Sequence, residues 1–93
     1  MSEVKLFYME GCPYCRNARR ALEDLKQENA AYAALPIDLI EENEHPDIAD
    51  RYDYYHVPSM FIGSEKMYEC APGEGYDEIR SHIKAVLDRA LAG

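Results

Sequence analysis

No stretch of this sequence stays apolar for more than a few residues, against the roughly 20 needed to cross a bilayer, which excludes a membrane-spanning helix. The N-terminus Met1-Ser2-Glu3-Val4-Lys5 has no basic stretch followed by an apolar one. No export signal is therefore expected, and the expected location is the cytoplasm. Basic charge is scarce as well: 10 Lys and Arg stand against 18 Asp and Glu, a formal net charge of −8. Such a surface repels phosphate backbones and anionic lipid, so nucleic acid and membranes are not expected partners. Internal repeats, linkers and low-complexity segments are also lacking. The 93 residues, 47% of them apolar, provide for one core and no second one, and a single domain over 1–93 that works as a monomer is expected.

Cysteine is sparse too, and three of them cannot all pair within the chain. A framework of structural disulfides is thereby excluded, and cytosolic reductants would keep isolated ones open. What the sequence does have is a four-residue unit, Cys12-Pro13-Tyr14-Cys15. A pair this close indicates either catalysis or metal binding.

The surrounding pattern narrows the choice. Val4-Lys5-Leu6-Phe7-Tyr8 favours a strand that ends at the turn Met9-Glu10-Gly11. Apolar or small residues then recur at Cys15, Ala18, Leu22 and Leu25, with Arg16, Arg19, Arg20, Glu23 and Lys26 on the other face, which is the helical period. Pro13 suits the first helical position, where its fixed φ fits and its missing N–H costs nothing. Tyr32 to Ile37 reads as a second strand, an edge candidate because Pro36 cannot donate to a ladder. The acidic run Asp38 to Glu44 leads to a short helix near Pro46, with Ile48, Ala49 and Tyr52 on it. Ser59 to Ile62, the turn Gly63-Ser64-Glu65, and Lys66 to Cys70 form a β-hairpin. After Pro72-Gly73-Glu74-Gly75, residues Ile79, Ile83, Val86, Leu87 and Leu91 share one face of a closing helix. The order βαβαββα, opening with a βαβ crossover, predicts an α/β fold with a four-stranded mixed sheet flanked by three helices.

A dithiol that exchanges with other disulfides needs one sulfur exposed to attack and a second near enough to displace the mixed disulfide. Two intervening residues provide that spacing. Cys12, just before the helix, meets free backbone N–H groups and the positive end of the macrodipole, which favours its thiolate and makes it the attacking residue. Cys15, one turn inward, is the resolving thiol, with a pKa raised by burial. A zinc site would need two more ligands, and the other Cys and His residues, Cys70, His45, His56 and His82, form no second close pair. A Cys-x-x-Cys at a helix start after a strand is the redox arrangement.

These features resemble the glutaredoxin family of the thioredoxin superfamily, whose active-site tetrapeptide is Cys-Pro-Tyr-Cys between strand and helix. The resemblance extends over nearly the whole chain and implies a thioredoxin-like fold and a glutaredoxin-like disulfide reductase. Val57-Pro58 before the hairpin resembles the Thr-Val-Pro of that family, which implies that Pro58 is cis and faces the cysteines. The backbone of Val57 would then pair with a substrate cysteine, and Tyr14, Val57, Pro58 and Asp77 are the implied substrate-binding residues beside catalytic Cys12 and Cys15. Implied partners are disulfide-containing proteins, with glutathione as co-substrate and either glutathione or a flavin-dependent reductase as electron source. No bound cofactor or metal is implied.

The chain also departs from the family. Tyr8 stands where glutaredoxins carry a lysine for a glutathione carboxylate, and His56 replaces the threonine of Thr-Val-Pro. The Gly-Gly-Cys-Asp-Asp before the last helix survives only as Gly73, Gly75, Asp77 and Glu78, and Glu74, Asp77 and Glu78 oppose a second negative charge. Arg16 and Arg19 are substitute carboxylate partners near Cys12. Two alternatives follow: a redoxin independent of glutathione that is reduced by thioredoxin reductase, and an iron-sulfur or zinc carrier bridging two chains. Pro13 counts against the carrier, because monothiol cluster-binding relatives have Gly there. Cys70 is expected as a small buried hydrophobe, and Tyr52, Tyr54 and Tyr55 as packing around the loop of Pro58.

Overall fold

The computed structural model describes residues 3–93. Met1 and Ser2, part of the N-terminal stretch considered for export, lie outside the described residues. Four strands form one sheet: β1 (Val4–Tyr8), β2 (Ile37–Glu41), β3 (Ser59–Ile62) and β4 (Glu65–Glu69), in the order β2-β1-β3-β4. β1 pairs in parallel with β2 and antiparallel with β3, and β3 pairs antiparallel with β4. The helices are α1 (Pro13–Glu28), α2 (Ala30–Ala34), α3 (Pro46–Ala49) and α4 (Tyr76–Ala92).

Alternation along β1 divides the interior in two. Val4 and Leu6 join Leu22, Leu25, Met60, Ile79, Ile83 and Leu87 in the larger core, which takes in buried faces of α1 and α4. Phe7 points the other way and packs with Ile40 and Phe61, over which Ile48, Ala49, Tyr52, Tyr54 and Val57 close. The Tyr52 ring lies 4.9 Å and the Tyr54 ring 5.0 Å from that of Phe7. A central strand buried on both faces explains why β1 is so apolar.

The expected mixed sheet is present, and several local expectations need correction: β4 takes in Glu65 and ends before Cys70, and α3 ends at Ala49, short of Tyr52. Residues 32–37 are not the second strand. Asn29 caps a short helix there, its side-chain oxygen accepting the Ala31 N–H at 2.9 Å, and Ala30-Ala31-Tyr32-Ala33-Ala34 follows the high helix propensity of alanine. The strand begins at Ile37, after Pro36, and takes in Asp38 to Glu41 of the acidic run. It lies at the sheet edge as expected, but Pro36 is outside it. α2 therefore makes four helices rather than three. In α4, Leu91 is 44% exposed and does not share the buried face, where Ala90 stands instead.

Candidate functional site

The loop between β1 and α1 delivers the cysteine pair to the end of the sheet. Gly11 turns the chain with φ of +81°, the left-handed region that favours glycine, while a Cβ there would meet nothing within 4 Å. Conformation, not space, calls for glycine at this point. Cys12 then caps α1: its Sγ accepts the Cys15 N–H at 3.4 Å, and its carbonyl accepts the Arg16 N–H at 3.0 Å. Pro13 occupies the first helical turn as expected.

The two sulfurs sit in different surroundings. Cys12 is half-buried, whereas Cys15 is 1% exposed and receives the Met9 N–H at 3.4 Å. Burial pushes the Cys15 thiol up to about 12, with only part of that offset by the Met9 N–H. Both cysteines are free thiols, as is Cys70.

Two cavities meet at Met9. One of about 500 Å³ takes in Cys12 and Cys15 together with Gly11, Arg16, Arg19 and Leu39. The other, about 280 Å³, is lined by Tyr14, Glu42, His56, Val57 and Cys70 among others. Tyr14 and Val57 both line the smaller cavity, which Met9 shares with that of Cys12, whereas Pro58, joined to Val57 by a cis bond, is buried and lines neither cavity. The Tyr14 hydroxyl accepts the Gly73 N–H at 2.8 Å, joining the start of α1 to the turn before α4. Asp77 is different. It is exposed in the first turn of α4 and lines neither cavity.

Cys70 is buried as expected, with its thiol raised chiefly by desolvation, and its N–H donates to the Pro58 carbonyl at 3.0 Å. Tyr52 and Tyr54 pack in the second core, but Tyr55 is 83% exposed. Arg19 and Arg16 both border the cavity of Cys12.

Two supporting carboxylates escaped the sequence reading. Glu41, 5% exposed, accepts the N–H groups of Glu10 at 3.0 Å, Asn43 at 2.6 Å and Glu44 at 3.0 Å. These bonds, that from Glu10 foremost, hold its carboxyl below the usual range. Glu69 accepts the N–H groups of Tyr55 and His56, each at 2.8 Å, and so shapes the loop before Pro58, while Lys66 lowers its pKa. In sequence, both look like ordinary solvated acids. The one available signal for Glu41 was the apolar Leu39-Ile40 pair directly before it in the acidic run.

Among the described residues no three Cys, His, Asp or Glu side chains converge to hold a metal ion. Nor is any helix among them long and apolar enough to cross a membrane.

Residues 6–72 match the family model of the glutathione S-transferase N-terminal domain. The chain belongs to that family. Thioredoxin 1 from Thermosipho africanus TCF52B superposes on it with a TM-score of 0.60 at 16% identity, covering 95% of this chain and 97% of that one. A mutant thioredoxin from Halobacterium salinarum NRC-1 gives 0.58 at 20% identity, covering 90% and 73%. Human ERp44 in its zinc-bound form gives 0.59 at 18% identity, where 92% of this chain matches 27% of that one. No curated protein matches the sequence. This glutathione S-transferase N-terminal domain relative therefore has a thioredoxin-like fold, with its cysteine pair at the start of α1, which follows β1.

Proposed function

We propose that the protein is a glutaredoxin-like thiol-disulfide oxidoreductase that reduces protein disulfides or glutathione mixed disulfides through Cys12 and Cys15. One observation carries this reading: a half-buried Cys12 at the N-terminus of α1, whose sulfur accepts the N–H of a Cys15 that is itself buried and free. The Cys12 thiolate attacks one sulfur of the substrate disulfide, a new S–S bond forms, and the other substrate sulfur leaves as a thiolate that takes up a proton. Cys15 then loses its proton and attacks the Cys12 sulfur, releasing the second substrate thiol. Two electrons pass to the substrate, and a Cys12–Cys15 disulfide remains.

A disulfide of that kind needs a reductant, and the cavity lined by Tyr14, His56 and Val57 supports glutathione as the co-substrate. Glu42 in the same cavity favours a second reading, because its charge opposes a glutathione carboxylate. In that reading a flavin-dependent reductase supplies the electrons. The proposal takes the protein as a cytoplasmic monomer without bound cofactor, serving disulfide-containing protein partners.

Substitution tests the roles of the sulfurs. Cys12→Ser abolishes reduction of a disulfide substrate, and Cys15→Ser accumulates a mixed disulfide visible by mass spectrometry. Retained activity in Cys12→Ser would refute the assignment. Supplying glutathione with its reductase, or thioredoxin reductase, as sole donor separates the two readings.

A further inference from the structure

The cavity of about 500 Å³ that takes in Cys12 is unusual for so acidic a chain. Three of the ten basic side chains, Arg16, Arg19 and Arg20, lie within five residues of α1 and all border it. Its floor is apolar at Leu22 and Leu39, and Leu39 is 43% exposed on the edge strand β2. The Arg19 guanidinium lies 4.8 Å from the centre of the Tyr8 ring and 3.4 Å from the Glu10 carboxylate. Arg20 lies 4.2 Å from the centre of the Tyr76 ring. Arg16 has neither an ion pair nor an aromatic partner among the described residues. Two acids border the groove as well: Glu10, shared with Arg19, and Glu23, which lies 3.8 Å from Lys26.

We propose that this groove docks an acidic segment flanking the disulfide of a protein substrate, an inference that rests on the thiol-disulfide reading of Cys12. The groove takes in Cys12 itself, so a segment that brings its sulfur to Cys12 has the residues on one side of that sulfur within reach of the groove. Carboxylates there meet Arg16 and Arg19, and an apolar neighbour covers Leu39. Guanidinium groups suit this task, since each presents a planar fork to a carboxylate. The aromatic faces under Arg19 and Arg20 hold these side chains in place, which lowers the entropy lost on pairing. Elsewhere the surface is dominated by acids and repels such a partner, so the groove also orients the encounter.

Two peptides with the same intramolecular disulfide, one flanked by Glu and the other by Gln, test the idea on the intact protein. At low salt, kcat/KM for the Glu-flanked peptide is expected to exceed that for the Gln-flanked one by about tenfold, as a few exposed charge pairs allow. That ratio shrinks as salt rises. The double variant Arg16→Glu, Arg19→Glu inverts it. If that variant fails to fold by circular dichroism, Arg16→Gln replaces it, and the ratio must then fall towards unity. Equal rates for the two peptides on the wild-type protein, or a ratio indifferent to these substitutions, would overturn the docking proposal while leaving the exchange chemistry intact. Failure to reduce either peptide would sink the exchange reading and the docking proposal with it.

Discussion

The Glu41 carboxylate accepts the backbone N–H of Glu10 at 3.0 Å, bridging 31 positions of sequence to the loop that carries Cys12. Two further N–H groups, from Asn43 and Glu44, fix the same carboxylate from its own side. The end of β2 therefore helps to hold the β1–α1 loop that leads to the cysteine pair. Glu41→Ala removes the acceptor for all three donors and should lower Tm and slow disulfide reduction, whereas Glu41→Gln keeps an oxygen for part of the set and should do less. Thermal unfolding followed by circular dichroism ranks the two; a Glu41→Ala protein as stable as wild type would show that the loop is held by other contacts.

The same bonds set a dependence on acid. Glu41 keeps its charge in the fold below the ordinary value of 4.5, so the unfolded chain binds its proton first as pH falls. Its contribution is complete above about pH 4.5 and fades as pH drops through the lower folded value. Urea unfolding between about pH 3 and 6 should show wild type losing stability over that window more steeply than Glu41→Gln.

The Cys15 thiol titrates in the opposite sense. Its pKa is raised from 9.0 to about 12, so the unfolded chain loses this proton first as pH rises, and stability present below pH 9 is lost towards pH 12. Near neutral pH the Cys15 thiol therefore stays protonated. Iodoacetamide should therefore label Cys12 of the folded, reduced protein while Cys15 and Cys70, 1% and 3% exposed, stay unmodified until denaturant is added. Peptide mapping distinguishes the three sites, and rapid native labelling of Cys15 would contradict its burial.

Much of this was legible because it is local. The glycine turn, the cysteine pair and Pro13 inside that pair lie within five residues, and the strand and helix around them each follow a single clear period. Pro58 was legible in the same way, from the short Val57-Pro58 signature. What the sequence concealed depends on distant partners or on competing propensities. Residues 32–37 contain Tyr32 and Ile37, which favour strands, but Asn29 and the four alanines of α2 prevail, and the Asn29 cap was the available signal. Glu41 and Glu69 act through backbone donors supplied by other segments, which no spacing along the chain reveals.

Tyr14 offers a test of how the two ends of the site are joined. Its hydroxyl accepts the Gly73 N–H at 2.8 Å, so it fastens the first turn of α1 to the bend that precedes α4, and its ring borders the cavity shared with Val57. Tyr14→Phe keeps the ring and deletes the acceptor. The Gly73 position is exposed, so water replaces the lost partner and the cost should be about 0.5–1.5 kcal/mol in urea unfolding. Ile83→Ala, in the fully buried face of α4, should cost about 2–5 kcal/mol by comparison, since it leaves a cavity that the core cannot fill. If the hydroxyl serves only to fasten the loop, Tyr14→Phe will alter stability and KM modestly and leave the Cys12 labelling rate near that of wild type. A large fall in that rate would mean that the bend before α4 helps to shape the surroundings of the attacking sulfur.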